Sequence, residues 1–309
     1  MNSAGASRTR KLLTVLGTAV SVLLLGWVGY RVWSGGVWRR PELWRPAAIG
    51  VIVAGAAAYA VACLLLAGGW VILLRHFSGR RVRLRLGTAI YGRSQLAKYL
   101  PTNLLHFAGR HVLGRRHGLG HAPLALAAVY EVLGVLAASA VLAAAGMSIY
   151  GFDQAALAVP TVLCVLAAAV VGQGVVGAIL QRRRRRKVAD WSGLLKATAG
   201  AGACYLVFFL AVGMILWLLT VGLGEAGSLP AAAQVIACFA VAWLAGFVTP
   251  GAPGGLGVRE AVLAALLAGR LGPSTAATAG LALRLLTTLG DVAFFALAVF
   301  IGPGQAPTS

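Results

Sequence analysis

Acidic side chains are scarce in this 309-residue sequence, which holds seven Asp and Glu residues against 27 Lys and Arg. So few carboxylates leave little material for acid–base catalysis. The sequence also lacks a Gly-x-Ser-x-Gly nucleophile elbow, a His-Glu-x-x-His zinc helix and a Gly-Lys-Ser/Thr phosphate loop. These absences argue against hydrolases of those types and against nucleotide-driven proteins, and we expect no cofactor.

Cysteine is equally sparse, and its positions exclude the usual cysteine-based sites. The four cysteines lie inside apolar runs without the paired spacing of disulfide, metal or redox motifs. We therefore interpret them as small packing residues. They are Cys63, Cys164, Cys204 and Cys238.

Histidine forms one cluster, which begins at His106 and His111. His117 and His121 have the spacing of metal ligands, but the intervening glycines disfavour a regular helix. No carboxylate or cysteine accompanies the cluster. We therefore expect a solvated loop beside the membrane rather than a metal site.

Apolar residues dominate the rest of the chain: they form 60% of it, charged residues form 11%, and the mean hydropathy is +0.86. These values are typical of integral membrane proteins. The sequence predicts one all-α polytopic domain over 1–309, with about seven to eight transmembrane helices of roughly 20 residues. The first run lacks a small-residue cleavage site, so we expect a retained span. The runs are 12–30, 47–74, 122–147, 155–180, 194–223, 230–248 and 276–301.

The net charge of +20 comes mainly from basic residues in short loops beside these runs, which favours a membrane over nucleic acid as the partner. Loop 182–187 has six consecutive basic residues and is predicted to be cytoplasmic, as is the amino terminus. Loops 148–154 and 224–229 have no basic residue and are predicted to be external.

Two segments, 86–110 and 249–270, are too polar for full crossings and too apolar for loops, which predicts two re-entrant or broken elements. Their matching positions suggest two related halves, 12–181 and 190–302, joined by loop 182–187. Four predicted crossings in the first half favour a parallel repeat, unless one of the short elements crosses the membrane.

The second broken segment contains the densest prolines and glycines of the chain. They remove helical hydrogen bonds, and the freed backbone groups survive at membrane depth only where protein or a water-filled cavity satisfies them. Arg259 and Glu260 follow this loop and are predicted to begin a short helix, whose amino end suits a phosphate. The alternative for Glu260 is completion of the helix terminus.

Charged residues also fall inside the apolar runs. Glu131 lies nine residues into run 122–147, where it serves either a functional site or a structural ion pair. Arg284 and Asp291 are seven residues apart and share one helix face. The motif regions hold four cations and three anions, an excess of one cation, so a cavity lined by them should prefer an anionic headgroup. The candidate partners of Glu131 are Lys98, Arg110, Arg259 and Arg284.

Two stretches resemble, in order and spacing, the lysylphosphatidylglycerol synthase transmembrane-region family, also called the flippase-like domain family. The first is 92–103, Gly-Arg-Ser-Gln-Leu-Ala-Lys-Tyr-Leu-Pro-Thr-Asn, followed by Gly-Arg at 109–110 and by Glu131. The second is 250–260, Pro-Gly-Ala-Pro-Gly-Gly-Leu-Gly-Val-Arg-Glu, followed by Arg284 and by Gly-Asp at 290–291. The resemblance covers nearly the whole chain.

This resemblance implies a bacterial plasma-membrane protein that moves a lipid between leaflets. Its substrate would be a phospholipid, glycolipid or polyprenyl-phosphate-linked lipid, and a separate lipid-modifying enzyme or glycosyltransferase would be a partner. Because no aminoacyl-transferase domain precedes Ser309, we do not expect synthesis of aminoacyl lipids. The expected substrate-binding residues are Arg93, Gln95, Lys98, Tyr99, Pro101, Asn103, Arg110, Glu131, Pro250, Pro253, Gly254, Gly255, Gly257, Arg259, Glu260, Arg284 and Asp291.

Two other functions fit the same residues. A membrane transferase acting on lipid-linked sugars would use the carboxylates as catalytic base or metal ligands, and would need two of them at an open site. A non-transporting scaffold for a lipid-modifying enzyme would use the buried charges structurally. Transport itself would be facilitated or ion coupled, with Glu131, Glu260 or Asp291 as proton carriers.

The predicted topology can be tested with single cysteines in a background without native cysteines. A cysteine at Arg184 should resist an impermeant thiol reagent in intact cells, because its basic loop stays cytoplasmic. A cysteine at Ser228, in a loop without basic residues, should react and serves as the control. Labelling at Arg184 in intact cells would contradict the topology.

Overall fold

The computed structural model describes residues 46–99, 105–150, 191–223, 230–249 and 252–302, together with five isolated residues before position 46. These segments form eight α-helices and two short 3-10 helices. The α-helices are α1 Pro46–Ser78, α2 Leu84–Gln95, α3 Leu105–Arg116, α4 His121–Tyr150, α5 Trp191–Leu223, α6 Ala232–Val248, α7 Val258–Leu271 and α8 Pro273–Ile301. The 3-10 helices are Leu96–Tyr99 and Pro253–Gly255.

Four of these helices are long and apolar enough to cross a membrane, so the protein is a multi-pass membrane protein. The candidate spans lie in α1, α4, α5 and α8, which confirms four of the predicted apolar runs as long helices. Run 230–248 forms α6, a shorter apolar helix. Runs 12–30 and 155–180 and the basic loop 182–187 lie outside the described residues.

The first broken segment folds back on itself. Helix α2 begins beside the end of α8, where Arg85 Nε donates to the carbonyl of Ile301 at 2.9 Å. From there the chain follows α8 as far as the 3-10 helix Leu96–Tyr99. Helix α3 then runs back to the end of the molecule at which α2 began. There Arg80, after α1, donates to the Gly118 carbonyl at 3.4 Å. We call α2, Leu96–Tyr99 and α3 the first hairpin, and this side of the molecule the basic end.

The second broken segment makes a hairpin from the opposite end. Helix α6 starts beside the end of α5, where Trp217 Nε1 donates to the Pro230 carbonyl at 3.1 Å. It stops at Val248, just before Pro250, because proline lacks the amide that a helix needs. After Pro253–Gly255, α7 returns to the start of α8, far from the basic end. We call α6, Pro253–Gly255 and α7 the second hairpin.

The described parts of the two halves therefore share one order in opposite orientation. Each has a long helix, a hairpin and a second long helix: α1, first hairpin and α4, then α5, second hairpin and α8. Helices α1 and α5 pack antiparallel, with Gly69 against Tyr205 and Gly200 against Ile72. The arrangement of these described elements is inverted rather than parallel as expected, because α1 and α5 run in opposite directions and the hairpins enter from opposite ends. Run 230–248, expected to cross the membrane, is instead one arm of the second hairpin.

The first hairpin can be tested by a disulfide between its arms. A Cβ atom placed on Gly109 of α3 would lie 3.7 Å from Cβ of Ser94 of α2, which suits a disulfide. In a background without native cysteines, Ser94→Cys/Gly109→Cys should lose both thiols on mild oxidation, measured by maleimide gel shift after denaturation. The pair Ser94→Cys/Val112→Cys is the control, since Val112 is 52% exposed. Equal crosslinking of both pairs would refute the hairpin.

Candidate functional site

A cavity of about 150 Å³ lies where the tips of the two hairpins meet, and every α-helix contributes to its lining. The 3-10 helices form the tips: the Tyr99 ring packs against Gly254. The cavity has an apolar aromatic wall made by Phe208, Phe239, Trp243 and Phe247. The lining also carries charged side chains from the two hairpins, α4 and α8, and one of them, Arg259, packs on Trp243. This combination of aromatic and charged lining suits a ligand with one apolar and one polar part.

Asp291, on α8, fastens the tip of the first hairpin. Its Oδ2 accepts from Lys98 Nζ at 2.7 Å and from Tyr99 Oη at 2.5 Å. Its Oδ1 accepts from Gln95 Nε2 at 3.2 Å and from Tyr59 Oη at 3.4 Å. Four donors thus satisfy a carboxylate that is fully buried, which offsets the cost of removing it from water.

Glu131, on α4, is held by the returning arm of the first hairpin. Arg110 pairs with Oε2, and Tyr91 Oη donates to Oε1 at 2.7 Å. The Arg110 guanidinium also stacks over the Tyr91 ring, 3.6 Å from its centre. Both side chains of the ion pair are nearly buried, at 3% and 5% exposed. Among its four candidate partners, the structure selects Arg110.

Glu260 and Arg284 form a looser pair at the second hairpin. Arg284 Nε lies 3.4 Å from Glu260 Oε1, and Arg284 Nη1 donates to the Gly254 carbonyl at 3.0 Å. Arg284 Nη2 and Glu260 Oε2 are buried and have no hydrogen-bond partner in the described part of the chain. This pair, unlike that of Asp291, leaves polar atoms unused in two residues that line the cavity.

Arg259 is the remaining cation of the cavity. Its guanidinium lies over the Trp243 ring, 5.2 Å from the ring centre, a contact worth about 1–2 kcal/mol. A Cβ atom at Gly246 or Gly255 would collide with its side chain, so glycine makes room for it. Among the described residues no carboxylate lies within ion-pair distance of Arg259, and its buried Nε has no hydrogen-bond partner. The excess cation predicted from the sequence is therefore Arg259.

The predicted helix start at Arg259 and Glu260 is confirmed, because α7 begins at Val258 and both side chains line the cavity. Arg93 lies off the cavity, with Nη2 donating to the Val299 carbonyl at 3.4 Å, and Arg110 stands behind Glu131. Pro253 and Gly257 shape the second tip without lining the cavity, and Pro101, Asn103 and Pro250 lie outside the described residues. The predicted residues that line it are Gln95, Lys98, Tyr99, Glu131, Gly254, Gly255, Arg259, Glu260, Arg284 and Asp291.

The expectation of a solvated loop was wrong for His106. His106 and His111 lie on α3, and His106 faces the cavity instead of a solvated loop. The break that the glycines predicted is confined to 117–120, where Gly118 has a φ of 76°. The described residues contain no group of three or more potential metal ligands. Tyr59, Tyr91 and Trp243 were also missed, since aromatic residues inside apolar runs carry no signal that separates cavity walls from packing.

Similarity to known proteins adds no assignment to this cavity. The sequence matches no known protein-family model and no curated protein. The resemblance to the lysylphosphatidylglycerol synthase transmembrane region therefore remains a prediction that rests on two motifs. Their described parts, 92–99 and 252–260, supply both hairpin tips.

The Arg110–Glu131 pair should matter chiefly for stability. Replacing Glu131 by Gln leaves a buried guanidinium without its charge partner and should lower the free energy of unfolding by about 3–5 kcal/mol. The double variant Arg110→Met/Glu131→Leu should recover most of that loss, because an apolar pair of similar size is often neutral. Equilibrium unfolding in detergent measures both. A double variant no more stable than Glu131→Gln would contradict the assignment.

Proposed function

We propose that this protein moves a lipid with a phosphate-bearing headgroup between the leaflets of a bacterial plasma membrane, as a stand-alone member of the family that its motifs resemble. The observation that carries the proposal is Arg259, a half-buried arginine that lines the cavity and has no carboxylate partner among the described residues. Its Nε atom is buried without a hydrogen-bond partner there, which is unfavourable, and a bound anion offsets that cost.

Several features of the second tip suit a phosphate. Gly254, Gly255 and Gly257 have positive φ angles, a conformation that glycine adopts without strain. Helix α7 begins directly after them, and the amino end of a helix attracts anions through its free amides. Arg284 Nη2 is a second unused donor on this wall. A phosphate here would lie between two guanidinium groups and a helix start.

The aromatic wall favours a lipid over a free anion. Phe239, Trp243 and Phe247 line the cavity from α6, one arm of the second hairpin. An inorganic anion gains nothing from such a surface, whereas the glycerol and proximal acyl carbons of a lipid lose water against it. The polar tips between membrane-spanning helices resemble the broken helices on which transporters hold substrate near the bilayer midplane.

The transferase hypothesis is less well supported by the carboxylates. It requires two of them at an open site, yet Asp291 is bound by four donors and Glu131 by Arg110 and Tyr91. Glu260 alone among the three has a carboxylate oxygen without a partner in the described residues. The cavity therefore offers one available carboxylate in that part of the chain.

Reconstitution in liposomes tests the function directly. Purified protein should move fluorescent phosphatidylglycerol between leaflets, measured by quenching of the label at the outer surface. Arg259→Gln should slow this movement at least about tenfold, since a lost hydrogen bond to a charged group costs roughly 1.5–3 kcal/mol. Arg270→Gln is the matched control, because Arg270 is an exposed arginine at the far end of the same helix.

Two results would count against the proposal. Folded Arg259→Gln that keeps the wild-type rate would remove Arg259 from the site. Wild-type protein that moves no phosphate-bearing lipid, anionic or zwitterionic, would refute the proposed function and leave the scaffold and transferase hypotheses.

A further inference from the structure

We propose that the headgroup bound in the cavity carries a hydrogen-bond donor, an ammonium or a hydroxyl group, beside its phosphate, and that Glu260 Oε2 accepts from this donor. The inference rests on the proposed function, which supplies the phosphate-bearing lipid. It adds a second requirement on the headgroup, a hydrogen-bond donor.

Glu260 has an oxygen atom that nothing in the described residues binds. Its side chain is 3% exposed, so water does not readily satisfy it. Oε1 faces Arg284 Nε at 3.4 Å, whereas Oε2 has no hydrogen-bond partner there. A buried acceptor without a donor is strongly unfavourable, and a ligand in the cavity that Glu260 helps to line is the nearest available source of a donor.

The other two carboxylates that line the cavity have no such unpartnered oxygen. Asp291 uses both oxygens, with two donors on each. Glu131 uses both as well, with Tyr91 on Oε1 and Arg110 on Oε2. Completion of the helix terminus, the alternative role of Glu260, does not account for Oε2, since no amide of the described chain donates to this atom.

The positions for the phosphate and for the donor are adjacent. Arg259 and Glu260 are consecutive in the first turn of α7, and both line the cavity. Arg284, which contacts Glu260 and has the unused Nη2, lines the same cavity. One headgroup can therefore place its phosphate at the two guanidinium groups and a neighbouring ammonium or hydroxyl group at Glu260.

Matched pairs of short-chain lipids test this in detergent. Dihexanoyl phosphatidylethanolamine and phosphatidylcholine share a zwitterionic phosphate, but only the first has N–H donors. Phosphatidylglycerol and phosphatidylmethanol share an anionic phosphate, but only the first has hydroxyl groups. We expect the donor-bearing member of each pair to bind about tenfold more tightly by calorimetry, the usual effect of leaving a buried polar group unsatisfied. Equal affinities within both pairs would overturn the inference.

N,N-dimethyl phosphatidylethanolamine distinguishes an effect of headgroup size from an effect of hydrogen bonding, because it is nearly as large as phosphatidylcholine but keeps one N–H. It should bind like phosphatidylethanolamine; binding like phosphatidylcholine would show steric exclusion and contradict the role of Glu260. Glu260→Met removes the acceptor and should reduce the preference to about twofold or less, by the same argument. Glu260→Gln keeps an acceptor oxygen and should retain the phosphatidylglycerol preference. If the methionine variant does not fold, the wild-type comparisons still decide.

Failure of this inference and failure of the proposed function give different results. Lipid movement in liposomes with equal affinities within the pairs would refute only the donor requirement. A donor preference without lipid movement would support the donor and refute transport. Phosphoethanolamine and phosphocholine without acyl chains should show the same preference; if they bind as tightly as the lipids, the ligand is a soluble phosphate ester and the lipid assignment fails.

Discussion

Two charges on α8 hold the tips of both hairpins, and the cavity depends on them. Asp291 binds the first tip through Lys98 and Tyr99, while Arg284 binds the second tip at the carbonyl of Gly254. The two residues are seven positions apart on one helix, so the backbone fixes their separation at about 10 Å. Helix α8 thereby sets the distance between the tips, and with it the space left for a ligand.

The cost of burying charge explains why these residues divide into two kinds. Asp291 and Glu131 have every carboxylate oxygen paired, so their interactions join helices that pack together. Arg259, Glu260 and Arg284 keep buried atoms without partners among the described residues. The Arg110 guanidinium also has Nε and Nη2 without hydrogen-bond partners there, but it stacks over the Tyr91 ring and does not line the cavity. Arg259, Glu260 and Arg284 do line the cavity, so a ligand bound there can satisfy their unused atoms.

The inverted order of the hairpins places the polar residues of both tips between the membrane-spanning helices. Each hairpin enters from its own end and stops where the other tip begins, so the polar atoms lie between apolar spans rather than at a surface. Backbone freed by the helix breaks is tolerated there because it faces protein and a cavity. A lipid headgroup matches these unused atoms, and the aromatic wall of α6 matches the apolar part of the same molecule.

Local chemistry let the sequence alone determine the apolar helices, the two helix breaks and the start of α7, because chain length, proline and glycine act on their immediate neighbours. It also determined the excess of one cation. Only the tertiary structure decided that this cation is Arg259, that Glu131 pairs with Arg110, and that His106 faces the cavity. It also decided the inverted order, since the two hairpins enter from opposite ends. Such pairings join residues far apart in the chain, and helix packing selects among partners that sequence spacing leaves equivalent.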